Sequence, residues 1–202
     1  MRVILFVGFL GSGKTSLMLP LARFLVERCE AGDGSTPVVI IENEVGDVSV
    51  DDAVLRREGL SVRELFGGCI CCQLTADLTS CINDIHAEID PHWVLVEATG
   101  LGTPQPIVST IDKYGKGVER VTTLAVIDAE RWNELIVVVE PLVTKQVTGA
   151  DVVAVNKTDL VDEDTLEEVA CGVAALNERA KVVRLSAGEG VGQEVWEKVI
   201  GP

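Results

Sequence analysis

The sequence predicts a three-layer α/β domain: a mostly parallel central sheet with helices on both faces. Three observations predict it. Short, mainly aliphatic runs recur along the chain at Val3–Val7, Val38–Ile41, Trp93–Val96, Val121–Ile127 and Val152–Val155, as strands buried on both faces require. Segments with helical spacing of apolar residues lie between them. The stretch Gly8-Phe9-Leu10-Gly11-Ser12-Gly13-Lys14-Thr15 fits G-x-x-x-x-G-K-[ST] between the first strand and the first helix. Strand, glycine loop and helix together form the setting of a phosphate-binding loop.

The bulk properties agree. At 202 residues, 1–202 reads as a single domain, and an apolar fraction of 47% is ample for a core. Aromatic residues are only 4%, so that core falls to Val, Ile, Leu and Ala. A formal net charge of −15 argues against nucleic acid or an anionic membrane surface as the main partner. Arg2 precedes an apolar stretch, but no small-residue cleavage site follows and the glycine loop comes at once, so a signal peptide is not expected. No apolar run approaches a membrane span, and the expected compartment is the cytoplasm. Six cysteines in a reducing compartment are not expected to form a disulfide framework. Cys29, Cys81 and Cys171 lie singly in helical segments and read as small buried residues.

Taken in order, Val3–Val7 leads into the loop, and Leu17, Leu21, Phe24, Leu25 and Arg28 recur on the helix behind it, from about Gly13 to Cys29. Pro20 falls inside that helix and is expected to kink it. Gly11, Ser12, Gly13, Lys14, Thr15 and Ser16 surround the phosphate position. Backbone N–H groups curl inward there, and the helix N-terminus adds partial positive charge. Lys14 should reach the β and γ phosphates and the Thr15 hydroxyl should hold Mg²⁺.

After the strand Val38–Ile41, the segment Glu42–Asp52 carries five carboxylates in eleven residues. It reads either as a solvated acidic loop or as a switch segment sensing the γ-phosphate or a metal. Leu60 to Phe66 leads into Gly67-Gly68-Cys69-Ile70-Cys71-Cys72. Three thiols in C-x-C-C can chelate one soft ion but cannot close a tetrahedral zinc site without a fourth ligand. A redox pair and a buried turn of small residues are the other readings. Thr75 to Ile89 is expected to be helical, with His86 a surface or packing residue. Trp93–Val96 then ends in Glu97-Ala98-Thr99-Gly100, and an apolar strand ending in a carboxylate has the form of a Walker B acid that binds Mg²⁺.

Pro104 and Pro106 open the next helix. Val121–Ile127 is a strand ending at Asp128, and Ala129–Thr148 is expected to be mostly helical despite Pro141. Val152–Val155 ends in Asn156-Lys157-Thr158-Asp159, which is N-K-x-D. The Asp159 carboxylate can accept two hydrogen bonds from guanine N1 and N2, a pair that adenine does not offer. A helix capped by Asp164 or Thr165 should run to about Arg179. Lys181–Leu185 is the last strand. A backbone N–H at Ser186 or Ala187 could meet guanine O6, and Gly190–Ile200 closes the chain as a helix.

GFLGSGKT at 8–15, IENEVGDVSVDD at 41–52, GGCICC at 67–72, EATG at 97–100 and NKTD at 156–159 together resemble the CobW-like family of GTPases, relatives of the urease and hydrogenase nickel-accessory GTPases. The C-x-C-C is the most specific of these segments. The resemblance implies a SIMIBI-type P-loop fold and a GTP-hydrolysing metallochaperone that loads a metal, often zinc or cobalt-related, into a client. It implies that Lys14 and Thr15 carry phosphate and Mg²⁺, Glu97 is the Walker B acid, and Asn156, Lys157 and Asp159 read guanine. It further implies that Cys69, Cys71 and Cys72 hold the transferred metal with help from Glu42 and Asp47. Family members usually carry a second C-terminal domain and often a histidine-rich tract, whereas this chain has only His86 and His92. That departure leaves room for a domain serving a corrinoid or other metallocofactor enzyme, as a nucleotide-dependent homodimer or as a regulator that carries no metal. Hydrolysis is expected to be slow without a partner, since no arginine or glutamine stands out in the switch segments. N-K-x-D and the lack of an arginine-rich lid argue against a small-molecule kinase.

Overall fold

The computed structural model describes residues 1–29, 36–42, 60–64 and 71–201. The acidic segment after Glu42, including Asp47, and the first thiol, Cys69, lie outside the described residues. Among the described residues seven strands form one sheet: β1 (Arg2–Val7), β2 (Val38–Glu42), β3 (Leu60–Glu64), β4 (Trp93–Glu97), β5 (Arg120–Asp128), β6 (Val152–Asn156) and β7 (Lys181–Arg184). Their order is β3-β2-β4-β1-β5-β6-β7, and every pairing is parallel. All carboxyl ends therefore face one edge, with β1 at the centre.

Alternation along β1 explains the three layers. Val3, Leu5 and Val7 point to one face and Ile4 and Phe6 to the other, and all five are fully buried. The Ile4 face is covered by α1 (Lys14–Arg28) and α7 (Gln193–Ile200), through Leu17, Met18, Leu21, Trp196 and Val199. The Val3 face packs against α2 (Cys71–Glu88), α3 (Pro104–Tyr114), α4 (Trp132–Val138), α5 (Glu140–Thr148) and α6 (Glu163–Leu176). Leu78, Ile82 and Ile85 of α2, spaced by three or four, are the stripe that the periodicity predicts.

Several boundaries differ from the sequence reading, each for a local reason. Leu60–Glu64 is a strand, where the sequence shows only a lead-in to the glycines. Among the described residues it pairs on one side alone, with β2, so alternation of Leu60 and Val62 with Ser61 and Arg63 suffices and no continuous apolar run is needed. Helix α2 starts at Cys71 rather than Thr75, so two of the clustered cysteines belong to its first turn. Residues 129–148 are indeed mostly helical, but as two helices: Pro141 sits at the start of α5, where a missing N–H costs nothing. Helix α1 continues past Pro20, which is exposed. Cys171 is exposed on α6, not buried, while Cys29 and Cys81 are half-buried with thiols pushed up by desolvation. His86 is half-buried, and its Nδ1 pairs with Asp90 at 2.8 Å. Among the described residues no helix is long and apolar enough to cross a membrane.

The cap of α6 is Asp162, whose carboxylate accepts the Thr165 N–H at 2.9 Å. Hydrogen bonds from Thr165, side chain first and backbone second, hold this carboxyl below its ordinary range. A depressed folded value means the contribution is full above the unfolded carboxylate range and is lost as pH falls through the folded one. Asp162→Ala should therefore lower the thermal midpoint at pH 7, and the difference from wild type should shrink as the pH falls below about 4, where even an ordinary carboxyl protonates. Scanning calorimetry across that range checks it.

Candidate functional site

The phosphate loop begins where β1 ends. In-register pairing sets Phe6 beside Glu97 on β4, so the loop and the acidic strand end leave the sheet as neighbours. The loop needs glycine at specific places. Gly8, Gly11 and Gly13 have φ of 146°, 77° and 97°. A Cβ on Gly8 would lie 2.3 Å from the Val126 carbonyl oxygen, and one on Gly13 would lie 2.3 Å from Asn156 Nδ2. Ser12 N–H donates to the Phe9 carbonyl at 3.1 Å, closing a tight turn. Gly13 then stands at the N-cap of α1, whose first-turn N–H groups and dipole face the cleft.

Lys14 is 6% exposed, and its ammonium folds back over the loop, donating to the Gly8 carbonyl at 3.0 Å and the Phe9 carbonyl at 3.4 Å. It lies 3.9 Å from Glu97 Oε1. The Thr15 hydroxyl donates to both Glu97 carboxylate oxygens, at 2.9 and 3.1 Å. That donor set fits magnesium. Oxygen ligands at cis positions of an octahedron with 2.0–2.1 Å bonds are about 2.9 Å apart, the spacing seen here. A cleft of about 240 Å³ opens at this point, lined by Leu10, Gly11, Gly13, Lys14, Thr15, Ser16 and Glu97–Gly100.

The base end is joined to the phosphate end by Asn156. Its Nδ2 donates to the Ser12 carbonyl at 2.8 Å, and its Oδ1 accepts the Ala187 N–H at 3.0 Å. One buried amide thus ties the loop, the end of β6 and the segment after β7. The Ala187 N–H, one of the two assigned from sequence to guanine O6, here points at Asn156; Ser186 is buried, and its hydroxyl accepts the Glu189 N–H at 3.3 Å. Lys157 has φ 64°, and its ammonium meets Asp128 Oδ2 at 2.6 Å. Asp159 follows in a 3₁₀ turn, Thr158–Leu160. It is exposed, and its carboxylate makes no hydrogen bond to any described residue, leaving both oxygens for a ligand.

The remaining sequence candidates are partly placed. Glu42 ends β2, half-buried, one residue beyond Ile41, which is in register with Val96. Glu42 and Glu97 therefore close adjacent strands. Cys71 and Cys72 open α2, while Cys69 and Asp47 fall outside the described residues. Among the described residues no group of three or more His, Cys, Asp and Glu side chains could hold a metal ion.

Two contributors escape the motifs. Gln146 on α5 is buried at 4% exposure and donates to the Gly100 and Gly102 carbonyls at 3.3 and 2.9 Å, tethering the loop after Glu97. Its signal was a polar residue on an otherwise apolar helix face. Asp128, buried at the end of β5, gave no signal beyond its position.

The likenesses of this chain match that geometry. Residues 2–184 fit the model of the CobW/HypB/UreG nucleotide-binding domain. The chain is 30% identical over 199 residues to the zinc chaperone YjiA of Escherichia coli K12, covering 93% of this chain and 58% of the relative. It is 30% identical over 204 residues to the zinc chaperone CobW of a Sinorhizobium species, covering 85% and 55%. The chain thus spans a little over half the length of these relatives. Among solved structures, Zn(II)-bound YjiA GTPase from E. coli superposes with a TM-score of 0.68 at 25% identity, covering all of this chain and 62% of the other. The hydrogenase maturation factor HypB of Archaeoglobus fulgidus, at 20% identity and TM-score 0.67 over 97% of this chain and 86% of its own, shares the fold. With the glycine loop, the Thr15–Glu97 pair and the N-K-x-D turn all in place, the chain belongs to the CobW/HypB/UreG family of P-loop nucleotide-binding domains.

Proposed function

We propose that this domain binds GTP with Mg²⁺, hydrolyses it slowly, and uses the nucleotide state to open or close a soft-metal site at Cys69, Cys71 and Cys72 for delivery to a client metalloprotein. The observation that carries the reading is the convergence of Thr15, Glu97 and Lys14 at the ends of β1 and β4. Lys14 and the loop amides hold the β and γ phosphates. Thr15 and Glu97 hold magnesium, which supplies charge neutralisation on the transferring phosphoryl group. Asp159 selects guanine. The exposed site between Leu10 and Gly100 would let water reach the γ-phosphate.

A route from nucleotide to metal would run through Glu42. Glu42 and Glu97 end neighbouring strands, which lie about 4.8 Å apart in any sheet. Movement of the segment after Glu42 on γ-phosphate loss would alter both sites together. Cys71 and Cys72 belong to the first turn of α2, and a soft ion would bind them as thiolates. The names of the relatives, zinc chaperones and zinc-regulated activators of metalloproteins, support zinc as the cargo. A corrinoid enzyme is a narrower choice of client consistent with the same chemistry.

Zinc titrations of the GDP-bound and GTP-bound protein test the coupling. The reading expects affinities that differ at least tenfold between the two states. Equal affinities would remove it, because a ligand indifferent to two states cannot be released by switching between them. In parallel, Cys69→Ser/Cys71→Ser/Cys72→Ser should leave GTP affinity within about twofold and abolish tight zinc binding. If the triple variant still activated a client fully, the domain would act as a GTP-dependent regulator and not as a carrier.

A further inference from the structure

We infer that Asp128 is a positioning residue for nucleotide recognition: its buried carboxylate clamps Lys157 and thereby presets the turn that presents Asp159. The inference rests on the reading of Asp159 as the base-binding acid.

Asp128 ends β5 directly beside Asn156 at the end of β6. Its side chain is 2% exposed, and both oxygens are engaged. Oδ1 accepts the N–H groups of Glu130 and Arg131 at 3.1 and 3.4 Å, which starts the turn into α4. Oδ2 receives the Lys157 ammonium at 2.6 Å. A buried carboxylate requires a compensating charge, and Lys157 supplies it. The bond has a conformational consequence as well. Lys157 sits in the left-handed region, which a residue bearing a Cβ avoids unless its surroundings hold it there. The Asp128 ion pair is what holds it. From that bend the chain closes the Thr158–Leu160 turn through Leu160 N–H on the Lys157 carbonyl at 3.1 Å, leaving Asp159 exposed and unpaired among the described residues. The neighbour of Asp128 reinforces the arrangement: Ala129 N–H donates to the Asn156 carbonyl at 3.0 Å. Two strand ends are thus latched side by side.

A residue acting through the base turn alone should weaken guanosine nucleotides and spare a ligand that has no base. The probes are GDP and inorganic tripolyphosphate, each with Mg²⁺, measured by calorimetry on wild type, Asp128→Asn, Lys157→Met and the double variant. Asp128→Asn should weaken GDP at least tenfold and change tripolyphosphate less than twofold. The double variant should bind GDP no more weakly than the worse single variant, because both changes break one clamp. Equal losses for both probes, or additive losses in the double variant, would overturn the inference. If Asp128→Asn folds poorly by denaturant midpoint, the ratio of its GDP and tripolyphosphate affinities still decides, because loss of folded protein lowers both probes alike. Failure of wild type to bind GDP would instead overturn the guanine reading itself, whereas normal GDP binding by both single variants would overturn only the clamp.

Discussion

Lys14→Ala should lower GTP affinity at least 100-fold and reduce hydrolysis to background. The ammonium is 6% exposed and held over the loop by the Gly8 and Phe9 carbonyls, so it is already positioned where phosphate oxygens arrive. A charge-assisted hydrogen bond contributes about 1.5–3 kcal/mol. Two of them to the β and γ oxygens are therefore worth at least two decades in Kd, at about 1.4 kcal/mol per decade. The fold should survive, because Glu97 keeps the Thr15 hydroxyl and the strands on either side are buried independently of Lys14. Nucleotide affinity and far-ultraviolet circular dichroism on the same preparation check both halves. An affinity within threefold of wild type, with the fold intact, would mean that phosphate is not bound here.

Asp159→Asn should cost about 100-fold in GTP affinity and bring in xanthosine triphosphate as the better ligand. The carboxylate offers two acceptors to guanine N1–H and the 2-amino group. An amide turns one acceptor into a donor, which meets the 2-carbonyl of xanthine and opposes the amino group of guanine. One charge-assisted hydrogen bond is lost, the other becomes a neutral one, and a donor is set against a donor; together these are worth about two decades at the exposed Asp159. Competition between the two nucleotides for the variant is the measurement. Unchanged preference for GTP would place base recognition elsewhere.

How much of this was legible depends on the range of the interactions involved. Strands β1, β2, β4, β5 and β6 announce themselves because a strand buried on both faces must be apolar throughout. Strand β3 does not, since an edge position asks only for alternation at Leu60 and Val62. The phosphate loop, Glu97 and Asp159 are legible because their chemistry fixes both residue type and place relative to a strand end. The ties between them are not. Asn156 reaches Ser12 across 144 positions, Thr15 meets Glu97 across 82, and Gln146 holds a loop 46 positions away. No spacing rule connects such pairs; only the parallel register, which brings every strand's carboxyl end to one edge, does so. The Asp162 cap was missed by two residues for a smaller reason: the run Asp162-Glu163-Asp164-Thr165 offers several capping side chains, and tertiary packing chose among them.

Isothermal titration calorimetry of the chain with GTP and with ATP, each in the presence of magnesium, reaches the centre of this account. It predicts saturable one-to-one binding of GTP and at least 100-fold weaker binding of ATP, with both lost on chelation of magnesium or in Lys14→Ala. Tighter binding of ATP than of GTP, or no heat with either, would contradict it.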